Sequence, residues 1–255
     1  MTFTQTITKA PSPNYAQGIT TSRLELGTPD WERACVQHAA YVATLRDLGL
    51  QVSELPGDAD FPDSCFVEDP AVVIPELAII TRPGAISRRG ETRAIADALR
   101  GVRELAHIEA PGTMDGGDVL LVDRHFLVGI SERTNTAGAE QFAALVAAHG
   151  YTCTPVPVAA GLHLKSSVNW VGDTDLLVTA QFASRGELAA YRCLTIAADE
   201  AYSSNTLWVN GVLITPRGFP KTRLLLDGLG PDIIELETSE LQKMDGGLTC
   251  LSLRF

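Results

Sequence analysis

Thr206-Leu207-Trp208-Val209-Asn210-Gly211-Val212-Leu213-Ile214 reads as a β-hairpin. Two apolar runs flank Asn-Gly, the strongest short-range hairpin signal, because both turn positions need positive φ. The pattern recurs on either side. Ala71–Ile74 and Leu77–Ile80 flank Pro75-Glu76, and Asp118–Val122 and Phe126–Ile130 flank a turn at Asp123-Arg124. Ser167–Val171 and Leu176–Ala180 flank Gly172-Asp173-Thr174-Asp175. Each hairpin precedes a polar loop and a stretch read as helix: Arg93–Leu99, Ala137–His149, Arg185–Arg192 and Thr222–Leu229.

A fifth copy is split between the chain ends. Gly247 to Phe255 supplies one apolar strand, Leu248–Phe255, and stops. The N-terminal part supplies a strand before about Ile19, a helix over Trp31–Leu48 and a strand over Leu50–Leu55. In that helix Ala34, Cys35, His38, Tyr41, Val42 and Leu45 fall on one face, with Thr28 or Asp30 as N-cap and Gly49 as terminator. Repeats of about 40–50 residues with hairpins suggest propellers or related closed arrays. The expected fold is therefore an α/β propeller of five ββαβ-like units, one domain over residues 1–255, closed by pairing the N- and C-terminal strands. A two-domain α/β protein is the alternative, although no linker is visible.

Composition narrows the partners. The chain of 255 residues is 45% hydrophobic and 20% charged, with a formal net charge of −11. That charge argues against nucleic acid and anionic membrane surfaces and is compatible with a small cationic substrate. No apolar run approaches the ~20 residues of a membrane span, and no secretory signal is visible. Five scattered cysteines (Cys35, Cys65, Cys153, Cys193, Cys250) do not resemble a disulfide framework, so a reduced, cytoplasmic protein is expected. A homodimer is compatible with the sequence.

Polar residues gather just before the hairpins. Asp63, Cys65, Glu68 and Asp69 precede the first, Asp115 and Asp118 the second, His163 and Lys165 the third, and Asp245 and Cys250 the final strand. Taken singly, each has a bland reading: Asp before Gly is turn chemistry, and a free cysteine is usually buried core. Together they could run nucleophilic chemistry, in which a thiolate attacks, an imidazole moves a proton and a carboxylate orients one of them. Extra carboxylates suit a guanidinium, whose N–H fork pairs with Asp or Glu. Zinc is the rival. Cys250, His163 and a carboxylate are zinc-type ligands, but no CxxC or HxxxH spacing supports a structural site.

Six segments carry a resemblance: FPDSCFVEDP (Phe61–Pro70), the ITRPGA and SRRGET pieces between Ile80 and Thr92, APGTMDGGDVL (Ala110–Leu120), ERTN (Glu132–Asn135), LHLKSS (Leu162–Ser167) and DGGLTCLSL (Asp245–Leu253). In content and order they resemble the dimethylarginine dimethylaminohydrolases, guanidine-modifying enzymes of the pentein (five-bladed α/β propeller) fold. The resemblance runs from about Ile19 to Phe255. It implies hydrolysis of Nω-methylated L-arginine to citrulline and an amine, without a cofactor. It also implies Cys250 as nucleophile, His163 as acid/base and Asp115 as the orienting acid, where family members carry Glu or Asp. Asp69 would hold the guanidinium, with Asp63 and Glu68 as further substrate contacts. Arg88 and Arg133 would take the substrate carboxylate, Ile19 and Met244 would contribute backbone contacts, and Gly18–Thr28 corresponds to a mobile lid. Arginine deiminases usually carry Asp two residues after the histidine; Lys165 stands here, which favours a methylated substrate. The longer amidinotransferases and a non-enzymatic zinc- or ligand-binding relative are the remaining alternatives. Inhibitory zinc at Cys250 and His163 stays open.

Overall fold

The computed structural model describes residues 2–158 and 163–255, apart from the side chains of residues 23 and 24. All four hairpins form, and each recruits one further strand. The described residues make five three-stranded sheets. In chain order the hairpin sheets are Ala71–Val73, Leu77–Ile80 and Glu104–His107, then Val119–Val122, His125–Ile130 and Thr152–Pro157. Val168–Gly172, Asp175–Val178 and Arg192–Thr195 follow, then Leu207–Val209, Val212–Pro216 and Asp232–Leu236. In every sheet the middle strand is antiparallel to its hairpin mate and parallel to the third strand. A parallel pair needs a crossover, which is why a helical segment sits between them.

The fifth sheet closes the ring. Gln5–Lys9 pairs antiparallel with Leu253–Arg254 (Thr6 opposite Arg254, Ile7 opposite Leu253) and parallel with Gln51–Leu55. The Gln5 and Phe255 backbones exchange hydrogen bonds of 2.8 and 2.9 Å, so the chain ends are stitched together. Between its strands lies the helix Trp31–Asp47, whose Asp30 cap accepts from Arg33 N at 3.0 Å. Ala34, His38, Tyr41, Val42 and Leu45 are buried and Cys35 half-buried, as the periodicity predicts. Full burial of side chains such as Leu45 contributes about 1.5–3 kcal/mol each. Tyr41 Oη also meets Ser252 Oγ at 2.6 Å in the interior, tying this helix to the tail.

Two expectations need correction. The helix read at Arg185–Arg192 is only a 3-10 turn, Gly186–Leu188, in which Leu188 is the one buried residue. Gly186 is a poor helix former, and a single buried side chain gives no apolar face to hold a longer helix. The terminal strand is also shorter than Leu248–Phe255. Thr249–Leu251 forms a 3-10 turn and only Leu253–Arg254 is strand. Asn205 Oδ1 takes Thr249 N at 2.9 Å and Gly247 O takes Cys250 N at 3.2 Å, so these donors are turned away from a ladder. The Glu200 carboxylate accepts from Lys221 N and Thr222 N at the start of helix Pro220–Asp227. No described helix is long and apolar enough to cross a membrane.

Candidate active site

Each sheet contributes the segment before its first strand to one axial cavity. Ile19, Asp63, Glu68, Asp69, Arg88, Arg133, His163, Lys165, Met244 and Cys250 all line it. Asp115 lies behind His163, fully buried. Every site residue expected from the sequence is thus brought to one place, although Leu162 of the LHLKSS segment lies outside the described residues. The cavity encloses about 30 Å³, room for about two waters.

Local structure explains the positions. Gly117 lets the second sheet's entry loop pass between two site residues: a Cβ there would lie 2.6 Å from His163 Nδ1 and 2.9 Å from Asp69 Oδ1. Its N–H donates to Asp69 Oδ1 at 3.0 Å. The Gly246-Gly247 pair is required by its neighbours. It is Asp245 that takes positive φ (56°), whereas a Cβ on Gly246 would strike Phe66 at 2.3 Å and one on Gly247 would strike Asn205 at 2.3 Å. Close packing, not a glycine-only backbone, requires them.

His163 and Asp115 form a close pair. His163 Nε2 lies 3.0 Å from Asp115 Oδ2 and 3.8 Å from Asp69 Oδ1. Asp115 Oδ1 accepts from Gly84 N at 2.9 Å, and Arg133 Nη1 stands 3.7 Å from Oδ2. Burial pushes the His163 pKa down, but Asp69, Asp115 and Asp118 together outweigh it and raise it to about 9. The imidazole is therefore charged at neutral pH. Burial, Glu68 and Asp69 push the Cys250 thiol up to about 12, against a smaller lowering by Lys165. At neutral pH Cys250 is therefore a thiol and His163 an imidazolium.

The carboxylates differ in their partners. Burial alone would raise the pKa of Asp69, but His163 and Arg88 overcome it and bring it to about 2. Asp63 accepts the Ile19 N–H on both oxygens at 3.1 Å, and burial raises its pKa. Glu68 pairs with Lys165 Nζ at 2.6 Å and accepts from Thr249 Oγ1 at 2.9 Å, reaching the residue before Cys250. Arg88 is placed differently from the arginine the resemblance implies. Its guanidinium contacts Asp69, forks onto Glu91 at 2.7–3.2 Å, and donates to the carbonyls of Asp63 and Phe66. Two buried carboxylates, Asp69 and Glu91, draw it in.

Three side chains among the described residues have ligand atoms within 4.8 Å of one another: Asp69, Asp115 and His163. Cys250 is not part of that set, and all three are already engaged by protein donors or by each other. Asn205 was missed by the sequence reading. It lines the cavity, donates to Lys165 O and Thr249 Oγ1 at 3.1 Å, and accepts Thr249 N, fixing the Cys250 turn. The signal was available: Asn205 stands before the fourth hairpin, where the other units place their polar residues.

The five blades around an axial cavity, with cysteine, histidine and carboxylates facing it, define a pentein. The family profile described as N,N dimethylarginine dimethylhydrolase, eukaryotic, matches residues 22–188. The N(G),N(G)-dimethylarginine dimethylaminohydrolase of Pseudomonas aeruginosa is 41% identical over 255 residues, covering 99% of this chain and 100% of that protein. A cysteine-to-serine variant of the P. aeruginosa enzyme complexed with citrulline superposes with a TM-score of 0.97 at 40% identity, covering both chains completely. A histidine-to-glycine dimethylarginine dimethylaminohydrolase, as an adduct with S-methyl-L-thiocitrulline, superposes at 0.96 and 40% identity over 99% of this chain and 100% of that one. The chain belongs to the dimethylarginine dimethylaminohydrolase family.

Proposed function

We propose that this protein hydrolyses Nω-methylated L-arginine to L-citrulline and dimethylamine or methylamine, through a covalent intermediate on Cys250. The observation that carries the reading is the convergence of Cys250, His163 and Asp69 on one cavity that Asp63 and Glu68 also line, with Asp115 behind the imidazole. The citrulline complex and the thiocitrulline adduct of the two relatives support the product and the covalent route. The chain works as one catalytic domain, needs no cofactor, and acts in the cytoplasm.

The substrate guanidinium is a poor electrophile because its charge is delocalised. Asp69 holds its nitrogens and aims Cζ at the sulfur, so that orientation and fixed charge lower the barrier. Arrival of that cation also offsets the Glu68 and Asp69 fields that keep Cys250 protonated, which favours loss of the thiol proton to water in the complex, because the His163 imidazolium already carries its own. The thiolate adds to Cζ. The bond from Cζ to the methylated nitrogen breaks as His163 gives that nitrogen its proton, and the amine departs. A thiouronium remains on Cys250. The neutral imidazole then takes a proton from water as the oxygen adds to Cζ. The C–S bond breaks as the proton left on the added oxygen passes to the departing sulfur, which restores the thiol, and citrulline leaves. Asp115 holds the imidazole in orientation through both protonation states.

Lys165 bears on the choice of substrate. It neutralises Glu68, removing a carboxylate that could pair with an unmethylated guanidinium nitrogen. Arg133 and, once released from Asp69, Arg88 are the cations for the amino-acid carboxylate. Product analysis tests the assignment: dimethylarginine should give citrulline and dimethylamine in equal amounts, and arginine should give little ammonia. Faster ammonia release from arginine would make the protein a deiminase instead.

A further inference from the structure

Asp118 is fully buried, does not line the cavity, and accepts three hydrogen bonds from two loops. Its Oδ1 accepts from Leu164 N at 2.9 Å, immediately after His163. Its Oδ2 accepts from Ser131 Oγ and Thr134 Oγ1, each at 2.7 Å. Those hydroxyls are themselves acceptors. Ser131 Oγ takes the N–H groups of Arg133 at 3.0 Å and Thr134 at 3.1 Å, and Thr134 Oγ1 takes Asp115 N at 3.1 Å. One carboxylate is thus linked, through a single intermediate group each time, to His163, Arg133 and Asp115.

We infer that Asp118 is the positioning residue that sets the acid/base turn, its orienting carboxylate and the carboxylate-binding arginine in mutual register. The inference rests on the proposed reaction for the roles of those three residues, but its geometry does not.

Chemistry requires a carboxylate here. Ser131 Oγ has both lone pairs occupied by backbone N–H groups, so it can only donate, and Leu164 N–H can only donate. An amide at 118 would present its NH2 to one or the other, and a donor would face a donor. A longer acid does not fit either: Gly129 is already so close that a Cβ there would lie 2.5 Å from Asp118 Oδ1. Oriented carboxylates behind a histidine also favour its charged form. The groups facing His163 are Asp69, Asp115 and Asp118, whose charges all raise its pKa.

The test compares Asp118→Asn with wild type. Expected are a fall in kcat of more than tenfold, a several-fold rise in KM for dimethylarginine, and a downward displacement of the His163 titration, read by NMR of labelled imidazole without turnover. A folded Asp118→Asn protein with an unchanged titration and unchanged kinetics would overturn the inference. Should that variant fail to fold, Ser131→Ala removes the arm to Arg133 and the acceptor of Thr134 N–H while leaving the Asp118 contact to Leu164: KM should rise several-fold, and by more than kcat falls. An unchanged KM would overturn it equally. Failure of the proposed function looks different, because wild type itself would then not turn over dimethylarginine.

Discussion

The guanidinium of Arg88 and the carboxylate of Asp69 form a buried ion pair inside the catalytic cavity, each about 95% or more removed from solvent. Asp69 is also the carboxylate assigned to the substrate guanidinium. The resting protein therefore supplies its own guanidinium where a ligand's would go, and substrate has to replace it. On Arg88→Met, calorimetry should show methylguanidine, which lacks a carboxylate, binding more tightly than to wild type, and methylarginine binding more weakly. Stability should fall by about 3–5 kcal/mol, the usual effect of unpairing a buried ion pair. Weaker methylguanidine binding would show that Arg88 does not compete for Asp69.

Thiol ionisation gives a second expectation. With Cys250 at about 12 and His163 at about 9, the free protein should show no thiolate absorbance between pH 7 and 8. Alkylation by iodoacetamide should keep accelerating up to pH 10. A guanidinium ligand should bring the thiolate absorbance to lower pH. A free enzyme already thiolate at pH 7 would contradict this.

Stability should follow the same charges. The raised pKa of His163 contributes stability that is complete below its ordinary value of 6.5 and is lost as pH rises through about 9. Asp69, depressed to about 2, contributes stability that is complete above its ordinary value of 3.8 and is lost as pH falls through about 2. Thermal melts of wild type and of His163→Gln across pH 6–10 check the first limb: the difference between them should shrink with rising pH.

Gly117→Ala places a methyl against both His163 and Asp69. Activity should drop by about a hundredfold, since misplacement of reacting groups by about 1 Å has that effect. Circular dichroism should remain that of the folded protein. Near-normal kcat would mean that the entry loop yields more easily than its packing indicates.

The segment before the first long helix is tied to the turn at Lys243 and Asp245. Asp245 accepts from Thr21 N at 2.6 Å, from Thr21 Oγ1 at 2.9 Å and from Ser22 Oγ, and Lys243 O accepts from Thr20 Oγ1 at 2.8 Å. The strap reaches the cavity, which Ile19 and Asp245 both line. Asp245→Ala should raise trypsin cleavage after Arg23 several-fold and raise KM, whereas unchanged proteolysis would rule out the strap.

The ring was legible because it is written locally. The turn of Asn210-Gly211 and the alternation of apolar runs depend on neighbours in sequence, and the leftover strand at Phe255 demanded a partner. The Gly186–Leu188 turn was misread because its 3-10 conformation depends on how few of its side chains meet the neighbouring sheet. Residue types at the site were legible for the same reason as the repeat: polar groups stood where core was due. Partnerships were not. Nothing in the spacing says that Arg88 folds back onto Asp69 and Glu91 within its own blade, or that Lys165 reaches Glu68 and that Asn205 and Asp118 brace the turns of Cys250 and His163 across blades, because each is a tertiary contact.

The central claim is that Cys250 carries the substrate carbon. Acid-quenching the protein during turnover of dimethylarginine and weighing its peptides tests this directly. The peptide containing Cys250 should carry the thiouronium mass in wild type and lose it in Cys250→Ser, with citrulline release abolished. Citrulline formed by Cys250→Ser at the wild-type rate, or an adduct on any other residue, would contradict the account.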